Sequence, residues 1–201
     1  MSSLRFTVVV VASSVFTLVS CSTDGRTMQE PTPSQIAAVS PGDTLPAQGG
    51  DVIEESTPLT LTAPWASGTA IDVRYTCDGK GISPPLAWSS GPAETKAYGI
   101  VLNDVDDPNF NQWVVANIDP AYTSIGEGGT ITGSFIATNG LKSRGYAAPC
   151  PRKGSTHTFT LSVFALRDKI EVEPRPTAKT ALARMTANAI EVGTIDFVYS
   201  R

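Results

Sequence analysis

Ala97-Tyr98-Gly99-Ile100-Val101-Leu102 and Trp113-Val114-Val115-Ala116-Asn117-Ile118 are two nearly continuous apolar runs. Runs of this length suit buried β-strands. Outward from them, Leu59-Thr60-Leu61-Thr62 alternates apolar and polar residues. Phe159, Leu161, Val163 and Ala165 alternate with Thr158, Thr160 and Ser162, the pattern of a half-buried strand with a solvent face. Ile195, Phe197 and Tyr199 repeat that pattern. Pro and Gly clusters punctuate the runs: Ser83-Pro84-Pro85, Gly126 to Gly129, and Pro149-Cys150-Pro151. After Pro176 the period changes. Ala178, Ala181, Leu182, Met185, Ala189 and Ile190 recur at helical spacing, with Thr177 placed to cap the start and Gly193 to follow the end. The expectation is one amphipathic helix, near 177–190, packed on a β-sandwich, its Met and Leu stripe facing the core.

Composition agrees. The chain has 201 residues, 41% of them hydrophobic, which is enough for one core and excludes full disorder. Seventeen Gly and fifteen Pro favour a turn-rich β protein over a helical bundle. A net charge of −4 carries no electrostatic footprint for nucleic acid. One His and three Cys leave too few ligands for a Cys/His zinc cluster.

The first twenty residues stand apart. Arg5 is their one charge, and Phe6 to Val19 is apolar except for Ser and Thr. At about 14 residues the run is short for a membrane span and has the size of a signal-peptide core. It ends in Leu18-Val19-Ser20-Cys21, which resembles a bacterial lipobox; an ordinary secretory signal is the other reading. With the lipobox, residues 1–20 are removed, Cys21 is acylated, palmitate included, and two or more chains anchor the protein outside the cytoplasm, on a bacterial membrane or in the cell envelope. Residues 21–56 are rich in Ser, Thr, Pro, Gly and Gln and read as a lipidated flexible tether. Asp51, Glu54 and Glu55 belong to it as solvated charges. The domain is expected over 57–201. Export leaves Cys77 and Cys150 as an even pair where disulfides persist. A bridge between them would contribute roughly 4 kcal/mol; two buried free thiols are the other reading. Cys150 has Arg152 and Lys153 nearby, a weak sign of thiolate reactivity.

Three segments carry the chemistry. The first is Tyr75-Thr76-Cys77-Asp78-Gly79 with Ser83-Pro84-Pro85-Leu86-Ala87-Trp88. The second is Asp104-Val105-Asp106-Asp107-Pro108 with Gln112-Trp113. The third is Gly145-Tyr146-Ala147-Ala148-Pro149-Cys150-Pro151 with His157-Thr158-Phe159. In this order they resemble the phosphatidylethanolamine-binding protein family, also called Raf-kinase-inhibitor-like proteins, from about residue 59 to about residue 199. The resemblance implies a mainly β fold, a Greek-key β-sandwich with short peripheral helices. It also implies a small anion pocket at one end, which in relatives accepts phosphate, acetate or a phospholipid headgroup. By position, Asp104, Asp106 and Pro108 match the family's Asp-Pro-Asp-x-Pro loop. Gly145 and Tyr146 match its Gly-Tyr loop, and His157 matches its second histidine. Bacterial members often carry the same two cysteines.

Three departures from the pattern matter. Gln112 replaces the first pocket histidine, Phe159 replaces the tyrosine of His-Arg-Tyr, and Arg152 replaces the second proline of Pro-x-Pro-Pro. Gln112 offers an amide N–H but no cation. His157 alone can supply imidazolium charge. The two carboxylates oppose an anion unless protonated or bonded to loop amides. Weaker anion binding than in relatives is expected, unless Arg152 folds inward. Structural roles are also open: Asp104 and Asp106 closing a turn, His157 as a strand-end histidine, Tyr146 and Trp113 as packing residues, Pro108 and Pro149 as shapers of loops.

Catalysis is not expected. The chain has no Gly-x-Ser-x-Gly elbow, no His-Glu-x-x-His helix and no Gly-Lys-Ser/Thr phosphate loop. Asp104, Asp106 and His157 could bind a metal on paper, but no metal or other cofactor is expected. Three functions remain. The first is a membrane-anchored module binding a small anion or phospholipid headgroup. The second is a regulator or inhibitor of an exported protease or other envelope protein. The third is a structural lipoprotein with a degenerate pocket, favoured by Gln112 and Phe159.

Overall fold

A computed structural model describes residues 58–201. The expected signal peptide, Cys21 and the tether lie outside the described residues. In chain order come β1 (Leu61–Thr62), β2 (Thr69–Ala70), a one-turn 3-10 helix (Val73–Tyr75), β3 (Leu86–Trp88), β4 (Ala97–Asp104) and β5 (Asn111–Ile118). Then follow β6 (Ser124–Ile125), β7 (Phe135–Ile136), β8 (Thr156–Leu166), α1 (Ala178–Asn188) and β9 (Ala189–Ser200). A small sheet has the order β1-β3-β6, and a large one the order β2-β9-β8-β4-β5-β7. The chain crosses between sheets: β6 lies in the small sheet, and β7 returns to the edge of the large one beside β5. This is the expected mainly β sandwich.

Strand alternation explains the layers. Ile100 and Leu102 of β4, Trp113 and Val115 of β5, and Phe159, Leu161 and Val163 of β8 face inward and meet Leu86, Trp88 and Ile125 of the small sheet. The residues between them point to the other side. There Val101, Val114, Ala116, Phe164 and Leu166 form a second cluster with Ala178, Ala181 and Met185 of α1. Helix on one face and sandwich on the other leave the central strands no wet side, which is why β4 and β5 read as unbroken apolar runs. For β8 this corrects the expected solvent face: beyond Thr160, Ser162, Phe164 and Leu166 are all buried.

The helix also ends earlier than expected. Thr177 caps its start, its Oγ1 accepting from the Thr180 N–H at 3.2 Å. Met185 is fully buried and Leu182 packs beside it, so the stripe does face the core. The last helical residue, however, is Asn188. Ala189 is already extended (φ −69°, ψ 134°) and opens β9. Pairing of Ala189 with Leu166 draws the chain into the sheet before the apolar period runs out. Gly193 therefore ends no helix. It sits mid-strand, opposite Val163. A Cβ there would lie 2.3 Å from the Leu59 carbonyl oxygen, because the segment before β1 crosses β9 at this point. The Leu59 N–H donates to Glu191 Oε1 at 2.8 Å beside the crossing.

Cys77 and Cys150 are joined by a disulfide across 73 positions. Both are exposed rather than buried as free thiols. On the chain-entropy model the bridge contributes about 4 kcal/mol. It ties the segment after the 3-10 helix to the Pro149-Cys150-Pro151 loop, reinforced by the Cys77 N–H bond to the Pro149 carbonyl at 3.2 Å.

The crossing at Gly193 gives a direct test. Gly193→Ala pushes a methyl group into fixed backbone and should destabilise the protein by about 1–3 kcal/mol, the usual scale of overpacking. The midpoint of urea unfolding measures it. Gly126→Ala, where a Cβ would meet nothing within 4 Å, is the control.

Candidate functional site

Register builds the site. Asp104, the last residue of β4, pairs with Phe159 of β8. His157 lies two residues back on the same face of β8, so it is the diagonal neighbour of Asp104, within side-chain reach. His157 Nδ1 and Asp104 Oδ2 are 2.7 Å apart. Asp104 Oδ1 accepts from the N–H groups of Asp106 (2.9 Å) and Asp107 (3.2 Å). This closes the loop after β4 as an Asx turn. Asp104 is only 5% exposed, and the protein supplies its carboxylate with three donors, counting the His157 ring N–H. Asp106 is exposed, and its Oδ2 accepts from the Thr158 N–H at 2.7 Å. Both carboxylates thus have the structural role left open by the sequence, since they hold the loop, and Asp104 also holds the histidine.

The neighbourhood extends across β9. Tyr199 pairs directly with His157. Its hydroxyl donates to Asp78 Oδ2, and Arg201 Nε reaches Asp78 Oδ1 and Oδ2 at 3.0 and 2.9 Å. Arg201 also lies 3.3 Å from Cys150 Sγ. The hydrogen bond from Tyr199, then those from Arg201, lower the Asp78 carboxyl below its ordinary value. Burial first, then Asp78, raises the Tyr199 phenol. Sequence reasoning missed this triad, since Tyr199 reads as a core residue and Arg201 follows the last strand. Arg152, which would compensate only by folding inward, is exposed, and its side chain makes no bond among the described residues.

Gln112 occupies a β-bulge. Leu102 pairs with Trp113 and Asn103 with Asn111, leaving Gln112 as the extra residue. It is buried, and its Oε1 accepts no hydrogen bond among the described residues. Phe159 is fully buried and stacks on Phe197 at 5.1 Å, so the ring acts in the core. Pro108 sits on the exposed loop after β4.

Gly145 and Tyr146 arrive on a second loop, organised by Asn139. Asn139 Oδ1 accepts from Leu141 N, Ser143 N and Ser143 Oγ, and its Nδ2 donates to the Gly145 carbonyl at 3.0 Å. Asn139-Gly140 is a turn dipeptide, a signal available in the sequence. Gly145 has φ 111°, a conformation an L side chain resists. Tyr146 stands edge-on to Trp113 at 5.7 Å, and its hydroxyl donates to the Tyr75 carbonyl at 2.7 Å. Burial raises its phenol well above the ordinary value, so it stays a donor. Gly145 and Tyr146 line a cavity of about 210 Å3 together with Trp113 and Ile131, but Asp104, Asp106, Pro108 and His157 do not. The six expected residues therefore divide: Asp104, Asp106 and His157 form one cluster, Gly145 and Tyr146 border a largely apolar space, and Pro108 lies exposed on the loop between β4 and β5.

Asp104, Asp106 and His157 place three possible metal-ligand atoms within 4.8 Å of one another. Asp104 accepts three hydrogen bonds and Asp106 one, while Asp106 Oδ1 and His157 Nε2 have no bond among the described residues. The arrangement is a histidine oriented by a carboxylate at a loop-lined end of a sandwich.

Against known proteins, the sequence profile of the phosphatidylethanolamine-binding protein family matches residues 61–200. The chain belongs to this family. It is 33% identical over 138 residues to the UPF0098 protein of Methanothermobacter thermautotrophicus, covering 65% of this chain and 91% of that one. It is 30% identical over 171 residues to LppC, a candidate lipoprotein of Mycobacterium tuberculosis, covering 83% and 82%. Among solved structures, a phosphatidylethanolamine-binding protein homologue from Chlamydia trachomatis superposes with a TM-score of 0.66 at 28% identity, over 73% of this chain and 99% of that one. YbcL of E. coli, described as a member of the mammalian family, superposes with 0.67 at 25% identity, over 72% and 99%.

The Asp78 triad carries a pH prediction. A depressed carboxyl contributes stability that is complete above the unfolded-state value, about 3.9 for Asp, and that is lost as pH falls through the folded-state value. Unfolding midpoints of the wild type and Asp78→Asn should therefore converge on acidification below about pH 4 and separate above it. Parallel curves would show that the triad adds no pH-linked stability.

Proposed function

We propose that this protein is an exported, membrane-tethered binding module whose loop-lined end takes a small anion or phosphorylated headgroup. The carrying observation is the 2.7 Å bond between His157 Nδ1 and Asp104 Oδ2. It fixes the ring and leaves Nε2 without a bond among the described residues, on a side chain 24% exposed. Protonated, that nitrogen donates to an anion. The repulsion expected from two carboxylates is reduced because both accept backbone amides, Asp104 from its own loop and Asp106 from Thr158 of β8. Export and anchoring rest on Leu18-Val19-Ser20-Cys21 and on the likeness to a candidate lipoprotein. Family membership supports binding rather than catalysis as the reading of the site.

A second reading, regulation of an envelope protein, is favoured by the apolar surface near this end. Val105 is 55% exposed between Asp104 and Asp106, and Leu141 is 65% exposed on the Asn139 loop. The two loops are held together by the Gly140 N–H bond to the Asn111 carbonyl and by Phe110 packed over Gly140.

Titration of residues 22–201 with phosphate and with glycerophosphoethanolamine, followed by NMR, tests the first reading. Saturable shifts at Asp104, Asp106 and His157 that His157→Ala abolishes are expected. A folded spectrum without saturation at millimolar ligand would sink it and favour a degenerate pocket. For the second reading, the wild type should capture from envelope extract a protein that Val105→Ser and Leu141→Ser each release. Equal capture by all three would remove it.

A further inference from the structure

We propose that the cavity beside Tyr146 is a second binding site, for a small neutral amphiphile: a body of one ring or a short branched chain, ending in a hydroxyl. Its volume is about 210 Å3. An apolar cavity of about 150 Å3 takes benzene, so by size alone this open pocket has room for roughly eight to ten heavy atoms. Trp113, Val115 and Ile136 form one wall, from β5 and β7. Ile82, Ile125 and Ile131 supply the other apolar side chains. An ion would lose its hydration here without a charged partner, since no charged side chain lines the space. A neutral occupant would not.

Of the hydroxyl side chains on the lining, Ser134 donates to the Ile131 carbonyl and Tyr146 to the Tyr75 carbonyl, each at 2.7 Å, and Thr130 is exposed, which leaves Ser83. Ser83 lines the cavity, is 5% exposed, and its Oγ has no hydrogen-bond partner among the described residues. Its carbonyl is already used by the Gly128 N–H at 2.9 Å, which draws the Gly126 to Gly129 loop against the cavity. That loop is further held by Glu127, whose Oε2 accepts from Arg74 at 2.6 Å and from the Tyr75 hydroxyl at 3.3 Å. A hydroxyl that no protein group engages, at the border of a largely apolar space, matches a ligand with one polar end. Gly145 and Tyr146 of the expected anion set line the cavity, but Asp104, Asp106 and His157 do not, so the two readings can be tested apart through His157.

The probes are p-cresol and toluene, which differ by one hydroxyl. Titrated into residues 22–201, p-cresol should give saturable shifts at the Trp113 indole N–H and at the methyl groups of Val115 and Ile131. Toluene should bind roughly tenfold more weakly, the scale of one hydrogen bond. Ser83→Ala should bring the two affinities together, and Ile136→Phe, which fills the space, should abolish both. His157→Ala should bind p-cresol as the wild type does while losing any phosphate response. Failure of p-cresol to saturate with a folded spectrum, binding unchanged in Ile136→Phe, or binding lost in His157→Ala would each overturn the proposal. A phosphate response without p-cresol binding rejects this site and leaves the anion reading intact.

Discussion

A carboxylate removed from water must be solvated by the protein, and at Asp104 the fold provides that solvation. The loop after β4 folds back so that two of its amides meet one oxygen, and β8 brings a histidine to the other. Loss of these donors would leave a buried charge unpaired, one of the costlier defects a fold can carry. The loop, the β4–β8 register and the histidine orientation are therefore one arrangement. The same register continues through His157 to Tyr199 of β9, and through Tyr199 to Asp78. In this way the end of the large sheet is connected to the disulfide-tied segment around Cys77.

The layers above and below follow from hydrocarbon. The large sheet buries both faces, one against the small sheet and one beneath α1. Burial on both sides makes its central strands easy to recognise and nearly fixes their register, because a one-residue slip would exchange two differently shaped clusters. Aromatic contacts stiffen the inner layer: Phe159 on Phe197, Trp65 edge-on to Phe197, and Trp88 edge-on to Tyr98.

Much of this was legible in the sequence. The strands β4, β5, β8 and β9 and the helix came from periodicity, and the sandwich and the family from the spacing of motifs such as Asp104-Val105-Asp106 and Pro149-Cys150-Pro151. What periodicity could not show was where one element surrenders to the next. Ala189 and Ile190 fit a helical stripe, but pairing with β8 claims Ala189, a tertiary preference that local spacing does not contain. Gly193 looked like a helix end because glycine serves both helix termini and close backbone crossings. In the candidate site, the residue types were legible and their grouping was not. Asp104 and His157 meet through a pairing across 53 positions. The bulge at Gln112 depends on how β5 pairs with β4, which its own residue type does not announce, whereas the Asn139 hub is local, its partners lying within six residues. Nothing local to Arg201 marks it as a partner of Asp78.

The junction of α1 and β9 sets a limit on how this chain can vary in length. Helix and strand meet at Asn188 and Ala189 with no connecting residue. Elsewhere an inserted or deleted residue can be absorbed by a turn. Here a deletion within the helix would rotate everything beyond it by about 100° about the helix axis. It would also shift β9 by one position, exchanging the residues on its two faces. Tyr199 would then leave the face it shares with His157. Homologous chains should accordingly show length changes in the loops around Gly126 to Gly133 and Asn139 to Gly145, and a constant interval from the helix cap at Thr177 to Tyr199.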